Sequence, residues 1–413
     1  MAFTNHSVSL WRNHDFLLLW GGQTLSGIGS SVSTIAYPLL TLMITRSPAQ
    51  TGFISAVRAL TYVILVLPVG ALVDRWNRRY TMIFCDIIRL ISLASVAGVL
   101  AWGHLTLLQL YITAIVEAAS GTLFDIAEIS CLPQVVAKEQ LSSAMGRVQA
   151  TMGIAALLGS ALGGLLFTLR SLLPFLADAF SYLVSVGSLF FIRTTFQQQR
   201  SDRPHHLYQE IVEGLQWIWM QPLLRTMALI TAVNVFSGAG QTLIVIIIAQ
   251  AQHVSNSTIG LIFSMGGVGS IAGSLVVSFI QRRFSFAQII IGALWFYVAL
   301  WFILIMLPGP FLLAVIFAAL SFISPFYNVT YVSYRLALTP DVLQGRVNSV
   351  ARLISFGLAP LSIALTGILL QLVGPRITLF LSIAIQLVLA VTATMNDTIR
   401  HTRPLMEIRQ NRE

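Results

Sequence analysis

The sequence predicts an all-α integral membrane protein with twelve transmembrane helices arranged in two six-helix lobes. Hydrophobic residues make up 56% of the 413 residues, whereas charged residues make up only 9%. A soluble domain of average composition is roughly 25% charged, so this chain has too few ionised side chains to cover a surface that faces water. Its mean hydropathy of +0.82 leads to the same conclusion.

Twelve apolar runs are separated by charged residues or by proline and glycine, and each is long enough to cross a bilayer, which takes about 20 residues of helix. The first run is too long for a signal-peptide core and no small-residue cleavage site follows it, so we expect it to be retained. In chain order, the predicted spans cover residues 16–45, 51–73, 80–101, 105–131, 143–169, 172–194, 223–251, 256–281, 285–307, 309–335, 344–371 and 375–396.

The basic residues predict the orientation of these spans. With the N-terminus placed in the cytoplasm, 18 of the 24 lysine and arginine residues fall in cytoplasmic segments, and only Arg46, Arg170 and Arg376 fall in outer loops. Cytoplasmic loops of membrane proteins carry an excess of such residues. We therefore predict a multi-pass protein of the inner or plasma membrane with both termini in the cytoplasm.

The longest polar stretch between spans divides the chain into two groups of six. Gly146-Arg147-Val148 and Gly345-Arg346-Val347 open equivalent spans in the two groups, which indicates parallel repeats. We expect an N-terminal lobe, a cytoplasmic linker, a C-terminal lobe and a cytoplasmic tail at residues 1–194, 195–222, 223–396 and 397–413.

The linker is predicted to contain an amphipathic helix. Its apolar residues recur at helical spacing, at Leu207, Ile211, Leu215 and Ile218. Two placements fit this pattern equally: the helix lies along the inner membrane surface, or it packs on the helix bundle.

Several classes of function are excluded. The single lysine, Lys138, does not lie in a phosphate-binding loop, so the chain is not a self-contained ATP-driven pump. Cys85 and Cys131 lie inside apolar runs and form neither a disulfide framework nor a zinc finger. The net charge of +9 is scattered rather than gathered on one face, which argues against a nucleic-acid partner. The histidines lack metal-ligand spacing, and we expect no metal site and no enzyme active site.

The loop between spans two and three carries a charged motif, Gly70-Ala-Leu-Val-Asp74-Arg75-Trp-Asn-Arg78-Arg79. This motif resembles the signature that the major facilitator superfamily has in the same loop, Gly-x-Leu-x-Asp-Arg-x-x-Arg-Arg/Lys. The resemblance implies the major facilitator fold, and a charge cluster that latches the two lobes together on the cytoplasmic side when the transporter opens outward.

Span five carries a second pattern, Gly159-Ser160-Ala-Leu-Gly163-Gly164, which is similar to a glycine motif of the superfamily's antiporters. Ser160 stands where the family has proline. Glycines at this spacing also allow plain close packing of helices, and that alternative is about as strong as a role in the direction of transport. The pattern favours export.

Further segments resemble the branch of the superfamily that contains macrolide-efflux and enterobactin-exporter proteins: residues 13–16 with 19–20, Gly121 to Pro133, and Phe175 to Ser181. The resemblance covers nearly the whole chain. It implies export of a bulky, largely apolar compound in exchange for protons, in a lipid bilayer, with the proton gradient as the energy source and no cofactor or ATPase subunit. We expect the transporter to work as a monomer.

Acidic residues inside the spans are candidates for proton binding, because ionisable groups in a bilayer are costly and are kept for function. Glu117, Asp125 and Glu128 fall along one stripe of span four. At 1.5 Å per residue, Glu117 lies about 18 Å from the outer end, near the midplane. It is our first candidate for the proton site, with a static ion pair or a contact to a cationic substrate as alternatives.

Asp125 and Glu128 lie at the inner end of the same span, where they either couple to protons or pair with loop arginines such as Arg147. By the resemblance, related drug antiporters often have an arginine where Glu117 stands. Either Glu117 carries protons itself, or coupling in this chain differs from the family pattern. Asp178 in span six and Arg58 in span two lie at similar depths and are expected to form a structural ion pair, with extension of Arg58 toward the outer membrane surface as the alternative.

Neutral polar residues are the candidates for substrate contact. By the resemblance, spans one, four, seven and ten line a central cavity, and amide and aromatic side chains suit a bulky apolar ligand with a few hydrogen-bonding groups. For each residue, packing between helices is an alternative role. The candidates are Gln23, Asn234, Gln241, Tyr327, Asn328 and Tyr331.

These observations together predict a secondary transporter that exports a bulky hydrophobic compound, macrolide-like or siderophore-like, by alternating access. Two alternatives stay open. One is a facilitator or importer of a small solute that uses no proton, and the other is a membrane scaffold or sensor that transports nothing.

Overall fold

The computed structural model describes residues 13–73, 76–136, 140–192, 207–306, 309–340 and 343–402. In this part of the chain, twelve helical segments are long and apolar enough to cross a membrane, and they begin and end within a few residues of the predicted spans. The predicted fold class is confirmed. The helices are α1 (His14–Thr45), α2 (Pro48–Val73), α3 (Arg78–Ala101), α4 (Leu107–Val135), α5 (Leu141–Leu169), α6 (Leu173–Phe191), α7 (Leu207–Met220), α8 (Pro222–Gly238), α9 (Gln241–Ala251), α10 (Asn256–Arg283), α11 (Phe286–Ile305), α12 (Pro310–Leu338), α13 (Gln344–Phe356), α14 (Ala359–Leu372), α15 (Gly374–Met395) and α16 (Asp397–Arg400).

Several helices begin at a polar residue that caps their free backbone N–H groups. The Asn77 side chain accepts hydrogen bonds from the backbone N–H groups of Arg79 and Tyr80 at 3.1 and 3.3 Å. Ser285 and Gln288 form a reciprocal capping box at the start of α11. Each cap lies where a polar loop meets an apolar run, and this explains why the spans start where the sequence predicts.

Two of the predicted spans are each divided by a short break. Residues 239 and 240 separate α8 from α9, and residues 357 and 358 separate α13 from α14. Pro360, near the start of α14, has no N–H group to continue the preceding helix. Broken helices are tolerated inside a membrane where the freed backbone is buried or lines a cavity.

The chain divides into two compact units. One comprises residues 1–37 and 64–203, and its core includes Phe16, Met82 and Phe124. The other comprises residues 38–63 and 204–413, and one of its core clusters includes Phe286 and Tyr334. The predicted linker and tail are only partly covered, since residues 193–206 and 403–413 lie outside the described residues.

Helix α7 supplies the linker helix and packs on the second unit. Ile218 is buried against α8 and α13, and Ile211 packs on the same cluster. Arg346 at the start of α13 donates a hydrogen bond to Glu213. Leu215 and Trp219 remain exposed on another side of the helix, Trp219 by 53%. One face of α7 therefore packs on the bundle, as the second of the two predicted placements requires.

Candidate functional site

Glu117 on α4 lies in a buried polar cluster of the first unit. Its side chain is almost fully enclosed, with 4% of the residue exposed. The Arg89 Nε atom lies 3.4 Å from Glu117 Oε2, and the Tyr182 hydroxyl donates to the same oxygen at 3.2 Å. The sequence's first candidate for a proton site is thus held by a cation and a phenol.

Asp178 on α6 belongs to the same cluster. Ser33 on α1 donates to Asp178 Oδ2 at 2.5 Å, and Ser181 donates to Oδ1 at 3.2 Å. The Tyr182 hydroxyl also lies 3.4 Å from Asp178 Oδ2. One hydroxyl has one hydrogen to donate, so Tyr182 can bond either Glu117 or Asp178 at a given moment. These partners lie within the first unit, and the predicted pairing of Asp178 with Arg58 stays a prediction.

Sequence reasoning missed two members of the cluster, Asp86 and Arg89 on α3. Arg89 Nη1 lies 3.7 Å from Asp86 Oδ1, and Arg89 Nη2 donates to Ser30 Oγ at 3.1 Å. The guanidinium also stacks on the Tyr182 ring, 4.1 Å from its centroid. The signal was present in the sequence, since an acid and an arginine three residues apart inside a predicted span share one helix face.

We call Asp86, Arg89, Glu117, Asp178 and Tyr182 the acid–arginine cluster. It holds three carboxyl groups and one guanidinium, all in residues that are less than a tenth exposed. With all three carboxyl groups ionised, the cluster would carry a formal charge of −2. It becomes neutral when two carboxyl protons are bound. Because uncompensated charge is costly inside a membrane protein, the cluster is suited to holding protons.

The other two acids of α4 have different surroundings. Asp125 is exposed and Glu128 is partly exposed, whereas Glu117 and Phe124 are buried. The predicted acidic stripe is therefore divided between the buried cluster and the surface of the first unit. Any role of Asp125 and Glu128 in proton coupling remains a prediction.

The predicted cytoplasmic latch is only partly covered, because Asp74 and Arg75 lie outside the described residues. Arg78 Nη1 donates to the backbone carbonyl of Ser130 at 2.9 Å, and Arg79 Nη2 donates to that of Phe190 at 2.6 Å. Both arginines thus bind carbonyl groups near the C-terminal ends of α4 and α6. The C-terminal end of a helix carries partial negative charge and therefore favours a cation. Apart from its own stretch of helix, no described atom comes within 4 Å of the position that a Cβ atom would take at Gly70.

The glycines of α5 bring this helix close to α1. A Cβ atom at Gly159 would lie 2.6 Å from the Ile28 carbonyl oxygen, and one at Gly163 would lie 2.7 Å from that of Val32. Gly164 is buried beside them. The pattern therefore serves close helix packing, and a role in the direction of transport remains a prediction.

The second unit contains a cavity of about 660 Å³. Five of the six residues predicted to contact substrate line it, whereas Gln23 lies in the first unit and donates to Ser185 at 3.1 Å. Residues next to each of the two helix breaks also line this cavity. The five predicted lining residues are Asn234, Gln241, Tyr327, Asn328 and Tyr331.

Hydrogen bonds hold most of these polar groups in place. Gln386 donates to Asn234 Oδ1 at 3.0 Å and accepts from Ser237 at 2.5 Å. The Tyr327 hydroxyl lies 2.8 Å from Thr231 Oγ1. Gln241, the first residue of α9, has no hydrogen-bond partner for its buried Nε2 atom among the described residues.

Sequence reasoning missed several residues of the cavity wall, and those on α11, α13 and α15 were missed because it considered only spans seven and ten of this half. Gln386 comes from α15 and Trp301 from α11. Two arginines, Arg335 and Arg352, also line the cavity. A polar or aromatic residue inside an apolar span was the available signal.

Two units of membrane-spanning helices, one with a buried carboxyl cluster and one with a ligand-sized cavity, are the architecture expected of a membrane transporter. A family model described as transmembrane secretion effector matches residues 6–411, and the chain belongs to this major facilitator family. The predicted resemblance is confirmed, and the chain is a transporter rather than an enzyme.

Relatives named as multidrug efflux pumps match nearly the full length of the chain. The multidrug efflux pump Tap of Mycobacterium tuberculosis is 27% identical over 401 residues, which cover 91% of each protein. The multidrug efflux pump Tap of Mycolicibacterium fortuitum is 25% identical over 401 residues, covering 93% of this chain and 96% of that pump.

Solved structures share the fold at low sequence identity. The nucleoside transporter NupG matches with a TM-score of 0.75 at 10% identity, covering 94% of this chain and 100% of NupG. A bacterial homologue of the iron transporter ferroportin matches with a TM-score of 0.74 at 16% identity, covering 94% and 99%. At these identities the likeness establishes the fold alone.

Proposed function

We propose that this protein exports bulky, largely hydrophobic compounds across the inner or plasma membrane in exchange for protons, by alternating access. The two relatives named as multidrug efflux pumps support the outward direction and the drug-like substrate. The proposed transporter works as a monomer with both termini in the cytoplasm.

The acid–arginine cluster is the observation that carries the proton-coupling part of the proposal. Glu117 accepts from both Arg89 and Tyr182, so its ionised form has a cation and a hydrogen-bond donor in place. When Glu117 binds a proton, its attraction for Arg89 weakens. Asp86, whose Oδ1 atom lies 3.7 Å from Arg89 Nη1, then remains as a counter-ion of Arg89.

This change in the partners of Arg89 gives the cluster two arrangements that differ by bound protons. Tyr182 links Glu117 to Asp178, so a proton that arrives at one carboxylate can be passed to the other through the hydroxyl. A site with two such arrangements can respond to the side of the membrane to which it opens. We propose that protons enter from outside and leave to the cytoplasm through this cluster.

The cavity of the second unit supports the substrate part of the proposal. Ligand pockets have volumes of roughly 300–1,000 Å³, and this cavity of about 660 Å³ falls within that range. Its tyrosine and amide side chains offer apolar surface together with a few hydrogen-bonding groups. A non-transporting scaffold has no need of such a cavity.

Drug accumulation in an efflux-deficient bacterial host tests the proposal. Cells that express the protein should accumulate less of a hydrophobic antibiotic than cells without it, and a protonophore should abolish the difference. The Glu117→Gln variant should behave like the protonophore-treated wild type. A matched control is Asp397→Asn, which removes an exposed acid outside the spans and should export normally.

The outcomes distinguish the proposal from its alternatives. Export that continues unchanged in the presence of the protonophore would favour a transporter that uses no proton. Equal accumulation with and without the protein, across a panel of hydrophobic antibiotics, would contradict drug export itself.

A further inference from the structure

The cavity of the second unit carries two positive charges. Arg335 on α12 and Arg352 on α13 both line it, and none of the described residues that line it is aspartate or glutamate. The described part of the cavity wall therefore has a formal charge of +2. A site of one sign of charge with low-dielectric walls attracts ligands of the opposite charge and repels those of the same charge.

Arg335 is fixed in the wall by neutral partners. It is 7% exposed, and its Nη2 atom donates to Asn348 Oδ1 at 2.6 Å. Its guanidinium lies 5.1 Å from the centroid of the Tyr331 ring. Neither contact cancels its charge, because an amide and a phenol ring supply only partial negative charge.

Arg352 is the more accessible of the two. It is exposed at the cavity wall and lies about 12 Å along the helix from the first residue of α13. In the described part of the chain, it makes no hydrogen bond or ion pair. A cationic side chain at this depth in a membrane helix is costly unless water or an anion compensates it, so it is positioned to receive a ligand anion.

Aromatic side chains line the same cavity as the two arginines. Tyr297, Trp301, Phe317 and Tyr327 share the cavity with them. Flat apolar surface suits the rings of a ligand, and a guanidinium offers a planar pair of donors that matches a carboxylate. The wall thus combines the groups that recognise an aromatic body and an acidic substituent on the same molecule.

We propose that this cavity selects compounds that join an aromatic ring system to a carboxylate, with Arg352 as the contact for the carboxylate and Arg335 as a second source of positive charge. This inference rests on the proposed function, because it names the substrate class of the same transporter. Expelling an anion is also favoured by a membrane potential that is negative inside.

A matched pair of dyes tests the inference on the purified full-length protein in detergent. One is a rhodamine with a free carboxylate, and the other is the methyl ester of the same dye, whose ring system carries a net positive charge. Fluorescence anisotropy gives both dissociation constants. The wild type should bind the free acid more tightly than the ester.

Substitution of Arg352 should remove this preference. Arg352→Gln should weaken binding of the acid about tenfold, the size expected for the loss of one charge-assisted hydrogen bond, and change binding of the ester about twofold or less. Arg352→Lys should keep most of the preference. The control is Arg376→Gln, which removes an exposed arginine that does not line the cavity and should leave both constants unchanged.

Tighter binding of the ester by the wild type, or no binding of either dye, would overturn the inference without any variant. An unchanged acid-to-ester ratio in a folded Arg352→Gln protein would overturn the role of Arg352. Protonophore-sensitive export of the ester without preference for the acid would support the proposed function and contradict this inference. Preference for the acid, together with export that continues when the protonophore is present, would support this inference and contradict proton coupling.

Discussion

The acid–arginine cluster of the first unit contains one arginine and three carboxyl groups, and this imbalance of charge affects the protonation of each acid. Arg89 contacts Asp86 and Glu117 directly and stacks on Tyr182, which in turn bonds Asp178. A single guanidinium cannot neutralise all three acids. The protonation of one acid therefore affects the others through their shared partners, and the residues of the cluster should act as a unit.

Removal of the Tyr182 hydroxyl tests the link between Glu117 and Asp178. Tyr182→Phe keeps the ring beneath Arg89 and removes only the hydroxyl group. The free energy of unfolding should therefore fall by about 1 kcal/mol at most, and the melting temperature in detergent should fall only by the corresponding amount. Drug-dependent proton uptake in proteoliposomes should slow, because the shared donor is gone. Tyr80→Phe, at an exposed position of α3, is the control. Proton uptake at the wild-type rate in Tyr182→Phe would show that the hydroxyl is not needed.

Removal of Arg89 should have a larger effect on stability. Breaking a buried ion pair by removing one partner costs about 3–5 kcal/mol, and Arg89→Gln leaves both Asp86 and Glu117 without their cation. Thermal melting in detergent should show a clear decrease. The double variant Arg89→Gln with Glu117→Gln should recover part of the loss, since it also removes one of the stranded acids. No recovery would mean that Arg89 stabilises the fold by packing rather than by charge.

At the scale of helices, the close crossing of α1 and α5 positions part of the cluster. Ser30 and Ser33 lie on α1 and bond to Arg89 and Asp178. Gly159 and Gly163 of α5 let the α1 backbone approach at Ile28 and Val32, only a few residues from these serines. A change in the spacing of the two helices would therefore also displace hydrogen-bond donors from the acid–arginine cluster.

Two alanine substitutions in α5 test this crossing. Gly163→Ala places a methyl group against the Val32 carbonyl and should destabilise the protein by about 1–3 kcal/mol, as overpacking does. Gly146→Ala places its methyl group where no described atom outside the adjoining stretch of α5 lies within 4 Å, and it should be neutral or stabilising. Melting temperatures in detergent measure both. Equal effects of the two substitutions would show that α1 and α5 do not need their close approach.

The spans could be predicted from the sequence, but their breaks could not. Only helices and closed barrels satisfy the backbone inside a bilayer, so an apolar run such as residues 286–305 leaves little choice of structure. Gly240 and Pro360 are different, because membrane helices tolerate glycine and proline without interruption. Whether they break a helix depends on the neighbouring helices, which the sequence does not show.

The candidate site could likewise be predicted only in part from the sequence. Glu117 was predictable because an acid at mid-depth in an apolar run is rare, whereas its partnership with Arg89 and Tyr182 depends on how α3, α4 and α6 pack. Asp86 gave the same kind of signal as Glu117 and could have been recognised. The grouping of Arg352 with the tyrosines of α12 was not predictable, because it follows from the packing of α13 in the second unit.

At the scale of the whole molecule, the proposed proton site and the proposed drug site lie in different units. The free energy of the proton gradient sets the drug gradient that proton–drug exchange can maintain. One proton that crosses a difference of one pH unit supplies about 1.4 kcal/mol, enough for about a tenfold drug gradient. The cluster reaches neutrality with two protons bound. Exchange of two protons for each neutral drug molecule would therefore support about a hundredfold gradient at the same pH difference.

The most direct test of proton coupling is uphill transport by purified protein in proteoliposomes under an imposed pH gradient. The wild type should concentrate a hydrophobic drug on the side with the higher proton concentration and should stop when a protonophore collapses the gradient. Glu117→Gln, inserted to the same extent, should only let the drug equilibrate, and Asp397→Asn should match the wild type. Uphill transport by Glu117→Gln at the wild-type level would contradict the assignment of Glu117 and its cluster as the proton site.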